Sequence, residues 1–167
     1  ATDGFDGTGS VTLSGLYTDA ALNVGATSAN DTVVIDRANP TATVALTATS
    51  LSDTSNNTQL TITFSDAPTG FTEADLTVVG GSLSGGSLSG NVYTATFTAT
   101  DGFSGTGSVT LSGAYTDAVA NLGVTGANDT VTIDRANPTA IVALAAASLS
   151  DTINATQLTI TFDKVPS

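Results

Sequence analysis

One spacing constrains this chain more than any other feature. Ala1-Thr2-Asp3-Gly4-Phe5 returns as Ala99-Thr100-Asp101-Gly102-Phe103, and Ile35-Asp36-Arg37-Ala38-Asn39-Pro40-Thr41 returns at Ile133 to Thr139. Thr58 to Phe64 returns as Thr156 to Phe162. Every return lies 98 residues on (Asp36 to Asp134), with no gap, so the fold must be sought as a repeated unit. With boundaries after the Asn-Pro segment, the chain divides into the C-terminal part of one repeat (1–38), a complete repeat (39–136) and the N-terminal part of the next (137–167). It is expected to be a window onto a longer array, whose anchoring and binding regions lie outside it.

Within the repeat, apolar residues alternate with period two: Val44, Leu46, Ala48; Leu60, Ile62, Phe64; Leu76, Val78; Tyr93, Ala95, Phe97; Val109, Leu111; Val131, Ile133. That period belongs to half-buried strands, and Thr and Ser between them keep the outer faces wet. No segment has helical periodicity. Six or seven short strands in under 100 residues predict an all-β fold, an immunoglobulin-like Greek-key β-sandwich repeated in tandem. Strands are expected from about 41, 58, 75, 91, 107 and 129, and the echo Gly81-Ser82-Leu83-Ser84-Gly85 then Gly86-Ser87-Leu88-Ser89-Gly90 as a loose glycine-rich hairpin. With neither a Cys pair nor a core Trp, it is no antibody-type domain.

The absence of Cys and His removes disulfides, catalytic triads, Cys nucleophiles and zinc sites with nitrogen or sulfur ligands, so no enzyme is expected. Paired carboxylates such as Glu73 and Asp75 lack the surrounding aromatics of a glycosidase site, and the glycines at 4, 7 and 9 lack the helix and Lys of a phosphate cradle. Fifteen acidic residues against three basic ones, a net charge of −12, argue against nucleic acid and anionic membrane surfaces. No apolar run is long enough to insert in a bilayer. Asn30-Asp31-Thr32 and Asn56-Asn57-Thr58 match glycosylation sequons, a pattern frequent by chance in a Thr-rich chain.

Up-and-down strand order puts the acids at the tips of the sandwich. Asp53 and Asp101 fall at the C-terminal end beside Asp134. Asp66, Glu73, Asp75, Asp117 and Asn121 fall at the N-terminal end beside Asp36. Head-to-tail stacking of adjacent repeats then brings Asp3, Asp6 and Asp36 toward Asp66, Glu73, Asp75 and Asp117. Calcium suits such a place, because it takes six to eight oxygen ligands in flexible geometry. For any single Asp, the competing reading is a solvated turn residue. No EF-hand loop is present, so the calcium expectation rests on collective placement.

Thr61-Ile62-Thr63-Phe64-Ser65-Asp66-Ala67-Pro68-Thr69-Gly70-Phe71-Thr72, then Asp75-Leu76-Thr77-Val78, resembles the front half of bacterial Ig-like repeats in giant adhesins. Tyr115-Thr116-Asp117-Ala118 with Asn121, followed by Ile133-Asp134 and Pro138-Thr139, is similar to their closing strands and linker. The resemblance spans the chain and implies an extender of an RTX-type or biofilm-associated adhesin, outside the cell and exported by type I secretion. It implies calcium at the linkers, with Asp36 and Asp134 as ligands and with Asp19 and Asn23, and Asp117 and Asn121, as the matching loop positions. Two departures stand out: Leu22 and Ala120 replace a glycine frequent before that Asn, and Arg37 and Arg135 adjoin the linker aspartates, where pairing with a carboxylate would stand in for an ion. The partners expected are adjacent repeats of the same chain, and other copies if the protein belongs to a filament, sheath, surface layer or biofilm matrix. A polysaccharide-reading module is a third reading, poorly supplied by an aromatic content of 5%.

Overall fold

The computed structural model describes residues 2–111 and 115–166. The chain opens with an antiparallel pair, β1 (Asp6–Val11) and β2 (Asp31–Asp36). It closes with another, β11 (Ala140–Leu144) and β12 (Leu158–Phe162). Between them lie eight strands: β3 (Ala42–Leu46), β4 (Ser50–Ser52), β5 (Asn57–Phe64), β6 (Leu76–Val79), β7 (Gly81–Ser89), β8 (Val92–Ala99), β9 (Ser104–Leu111) and β10 (Asn128–Asp134).

These eight form two four-stranded sheets, ordered β3-β5-β8-β7 and β4-β10-β9-β6. All pairings are antiparallel except β4 against β10, which is parallel. One sheet of four and one built on three, joined by crossovers, is the immunoglobulin-type sandwich, with the first strand split so that its second half crosses to the opposite sheet. The expected all-β, Ig-like fold is what the chain adopts.

The alternating residues meet in one core. Leu60, Ile62 and Phe64 of β5 and Tyr93, Ala95 and Phe97 of β8 face Val109 and Leu111 of β9 and Val131 and Ile133 of β10, each at most 5% exposed. Burial of this apolar area is what the chain has in place of disulfides. At the N-terminal end the core becomes aromatic: Phe64 packs edge-on to Phe71 and Tyr115 at 5.1 and 5.0 Å, and Phe71 to Tyr93 at 5.1 Å.

Two expectations need correction. The glycine-rich echo is not a loose hairpin but one edge strand, β7, with a bulge between Ser84 and Ser87; the turn into β8 comes later, at Gly90 (φ +60°). A Cβ on Gly86 would collide with the Glu73 carboxylate and the Tyr93 hydroxyl, so the glycine is there to let Glu73 reach across the sheet. The strand starting near 41 is also not continuous, because β3 gives way to β4 after a break at 47–49.

Gly107, buried in β9, is a point of close packing within its sheet, between the flanking strands β10 and β6: a Cβ there would lie 2.5 Å from Ile133 Cδ1 and 3.3 Å from the Val79 carbonyl oxygen. Gly107→Ala is expected to cost about 1–3 kcal/mol through overpacking. Urea unfolding would show it as a lower midpoint with an unchanged slope.

Candidate functional site

The two ends of the sandwich differ in how they handle charge. At the C-terminal end, Arg135 leaves β10 and folds back between two loops. Its Nε donates to Asp53 Oδ1 and its Nη2 to Asp101 Oδ1, both at 3.2 Å, and its Nη1 donates to the Ala99 carbonyl. The guanidinium side chain is 12% exposed, and Asp53 and Asp101 are therefore already paired with a positive charge. The corresponding arginine of the first linker, Arg37, pairs with Asp3 at 3.3 Å. The arginines beside the linker aspartates thus do pair with carboxylates.

At the N-terminal end the F–G loop, between β9 and β10, is organised by Asp117. Its Oδ1 accepts the backbone N–H groups of Val119 (3.0 Å) and Asn121 (2.9 Å), and its Oδ2 accepts Asn121 Nδ2 (2.8 Å). Burial, to 6% exposure, opposes ionisation of Asp117, but the hydrogen bonds from Asn121, Val119 and Ala120 outweigh it and hold the carboxyl below its usual range. The loop closes with Ala120 at φ +69°, a conformation that costs a residue with a Cβ about 1–2 kcal/mol. Asp19 binds Ala21 N, Asn23 N and Asn23 Nδ2 in the same way, with Leu22 at φ +67°, and hydrogen bonds from Asn23 lower its pKa. Replacing glycine by Leu22 and Ala120 leaves the left-handed turn in place, because the carboxylate braces it.

This loop grips the incoming linker. Asn121 Nδ2 also donates to Asp36 Oδ1 at 3.1 Å and to the Asp36 carbonyl at 3.3 Å. The Pro40 carbonyl accepts the Tyr115 hydroxyl at 3.1 Å and Val124 N at 2.9 Å. Sequence reasoning missed the Tyr115 anchor, since its apolar parity reads only as core. The Thr69 and Thr116 backbones bond to each other, tying the B–C loop, between β5 and β6, to the F–G loop.

The remaining predicted site residues are spread out. Asp6 stands across β1-β2 from Asp36, and Asp66 accepts the Ser65 hydroxyl at 2.8 Å. Glu73 lies over β8, accepting the Tyr93 hydroxyl at 2.6 Å; burial first, then the bond to Glu73 and its negative charge, push the Tyr93 phenol well above its ordinary pKa. Asp75 caps its own 3-10 turn (Glu73–Asp75), accepting Thr72 N at 2.7 Å. Asp134 is held by Lys164, whose hydrogen bond and charge lower the Asp134 pKa.

Among the described residues, no group of three or more acidic side chains is arranged to hold a metal ion. The nearest approach is at the first linker, where Asp36 and Asp117 are bridged by Asn121. The donors available there are all oxygens of the kind calcium takes, but Asn121 presents its NH2 to both carboxylates, and an ion would take its Oδ1 instead.

The bacterial Ig-like domain family profile matches residues 36–133, and the chain belongs to that family. The matched span starts at Asp36 and so contains the linker-to-loop contact. Domains of this family are usually extracellular or surface-exposed and typically non-enzymatic. Among the described residues no helix is long and apolar enough to cross a membrane. No curated protein and no solved structure matches the chain.

Ala120→Gly is expected to raise stability by about 1 kcal/mol, by relieving the left-handed strain, measured as a higher midpoint in urea. The pH dependence follows from Asp117. Its folded-state pKa is depressed, so its contribution is complete above the unfolded value of about 4 and lost as pH falls through the lower folded value. Thermal melts below about pH 4 should therefore lose Tm more steeply for the native chain than for Asp117→Asn, whose Tm at neutral pH is expected to be lower.

Proposed function

We propose that this chain is a length of structural extender from a secreted bacterial surface adhesin of the RTX or biofilm-associated type, in which stacked Ig-like repeats hold a binding region away from the cell. The observation that carries the reading is the grip of one domain on its incoming linker: Asn121 on Asp36, and Tyr115 on Pro40. Only residues 37–41 separate β2 from β3, and Pro40 confines Asn39 to extended backbone. A linker so short and so tied transmits direction from one unit to the next.

The flanking pairs support boundaries near 39 and 136. β11 pairs with β12 in the register of β3 with β5, Ala140 opposite Phe162 as Ala42 is opposite Phe64. β1 pairs with β2 as β9 with β10, Asp6 opposite Asp36 as Ser104 is opposite Asp134. Leu158, Ile160 and Phe162 are 55, 47 and 48% exposed, whereas Leu60, Ile62 and Phe64, their counterparts, are at most 1% exposed beneath the second sheet. An apolar face of this kind is what a further half-sandwich covers.

Calcium is proposed to stiffen the first linker, held by Asp36, Asp117 and Asn121, with Asp6 opposite Asp36 in the β1-β2 ladder. A bound divalent cation supplies charge neutralisation there and replaces a hydrogen-bonded contact by a many-sided one. Asp3, Asp53, Asp101 and Asp134 already have cationic side chains as partners, and Glu73 and Asp75 are engaged by Tyr93 and Thr72, so they take less part in this proposal.

Small-angle scattering and thermal melting, with calcium and then with chelator, test it. The expected result is a shorter maximum dimension and a lower Tm on chelation, with about 2.7 kcal/mol of stabilisation at calcium a hundredfold above its Kd. An unchanged dimension and Tm would sink the calcium reading.

A further inference from the structure

The edge strand β7, with the turn residue that follows it, is a palindrome: Gly81 to Gly90 reads Gly-Ser-Leu-Ser-Gly-Gly-Ser-Leu-Ser-Gly in either direction. At nine residues β7 is also the longest edge strand of the complete repeat. Edge strands are usually blunted by a charge or a proline, and β7 has neither. From Leu76 to Thr100 no residue is charged, the longest such run in the chain.

The bulge decides which way the β7 backbone faces. Ser82, Ser84, Ser87 and Ser89 lie opposite Thr98, Thr96, Thr94 and Val92 of β8. Ala99 N bonds to the Asn56 carbonyl and Phe64 N to the Asn91 carbonyl, so the odd-numbered residues of β8 bond toward β5. Its even-numbered residues then bond toward β7, as Thr100 N does to the Gly80 carbonyl at 2.9 Å. The four serines therefore bond inward, and the N–H and C=O groups of Leu83 and Leu88 point out from the sheet edge. In a regular strand, residues an odd number apart face opposite ways. The extra residue between Ser84 and Ser87 turns both leucines the same way. Among the described strand residues of the complete repeat, the large apolar side chains left exposed are Leu88 (42%) and Val79 (45%), the latter on β6, the edge strand of the other sheet that lies against β7.

We propose that β7 pairs with β7 of a second copy of this chain, antiparallel about a two-fold axis between Gly85 and Gly86, so that two four-stranded sheets join edge to edge. In that register Leu83 stands opposite Leu88 of the second copy, and each such pair exchanges both of its N–H···O bonds. Ser82 stands opposite Ser89 of the second copy, and Ser84 opposite its Ser87, as neutral pairs on the outer face. A two-fold contact must be self-complementary, and a palindromic strand whose two leucines both face outward meets that condition. The acid that lies against Gly86, Glu73, has its carboxylate on the Tyr93 hydroxyl. The pairing rests on the fold and is independent of the calcium reading. One strand contacts less surface than a permanent dimer needs, so the association is weak and lateral.

Sedimentation velocity and disulfide trapping test it on the 167-residue chain, which has no cysteine of its own. The native chain is expected to shift from monomer toward dimer between about 10 μM and about 1 mM, the range of a weak contact. Leu88→Lys, which places a charge at an exposed edge position, is expected to stay monomeric with an unchanged Tm. Ser82→Cys and Ser89→Cys place thiols at facing positions of a non-hydrogen-bonded pair, close enough for a disulfide. Mild oxidation of the two variants mixed should give severalfold more cross-linked dimer than either alone, because within one variant the thiols stand about 23 Å apart along the strands. A chain that remains monomeric throughout would overturn the proposal. So would association that survives Leu88→Lys, or cross-linking as strong in either single variant as in the mixture, since both assign the contact to another surface such as the exposed β11-β12 face.

Discussion

All three basic side chains of this protein lie just beyond strand ends and are drawn into ion pairs with carboxylates. Arg37 pairs with Asp3, Arg135 with Asp53 and Asp101, and Lys164 with Asp134. In a chain of net charge −12 that distribution answers a constraint, because carboxylates concentrated at the ends of a sandwich repel across every junction they form. The sheets themselves need no such compensation. Their inner faces are apolar, and their outer faces are lined by neutral Thr and Ser such as Thr43, Thr63, Thr94 and Thr96. Core burial and charge balance are thus handled by separate residues: the first by the inner faces of the sheets, the second by side chains at their ends.

The core was legible in the sequence because a half-buried strand writes its orientation into alternate positions. Leu60, Ile62 and Phe64 could be assigned to one face without any structure, and all are buried. The 98-residue offset then gave the strand pattern twice. Less visible was anything that depends on which side chain crosses a strand or a turn. The serine- and glycine-rich segment at 81–90 lacks large apolar residues apart from two leucines, so its extended edge strand was read as a hairpin. Glu73 belongs in sequence to the junction loop, yet a vacancy at Gly86 lets it reach Tyr93.

The acid map was readable at the level of domain ends and unreadable at the level of contacts. Loop order alone places Asp117 near Asp36, and they do meet through Asn121. Nothing in the residue types says that Asp117 would be occupied by its own loop's N–H groups. That occupation has a mechanical reason. A left-handed alanine or leucine at the tip is strained, and a buried carboxylate accepting several N–H groups supplies the local bonding that holds it. Asp117 therefore serves the loop first, and only through the loop does it serve the linker.

Differences between the copies carry information that each copy alone does not. A lone Lys164 is an unremarkable surface residue, and a lone Asp6 is a turn acid. Aligned at 98 residues, Asp6 with Ser104 and Asp66 with Lys164, they become changes of charge at equivalent strand positions. In a repetitive protein the core residues must recur, because every unit solves the same burial problem. Residues at the ends of the sandwich are free of that demand, and the ion pairs there are built from different partners in each copy: Arg37 with Asp3, Arg135 with Asp53 and Asp101, Lys164 with Asp134.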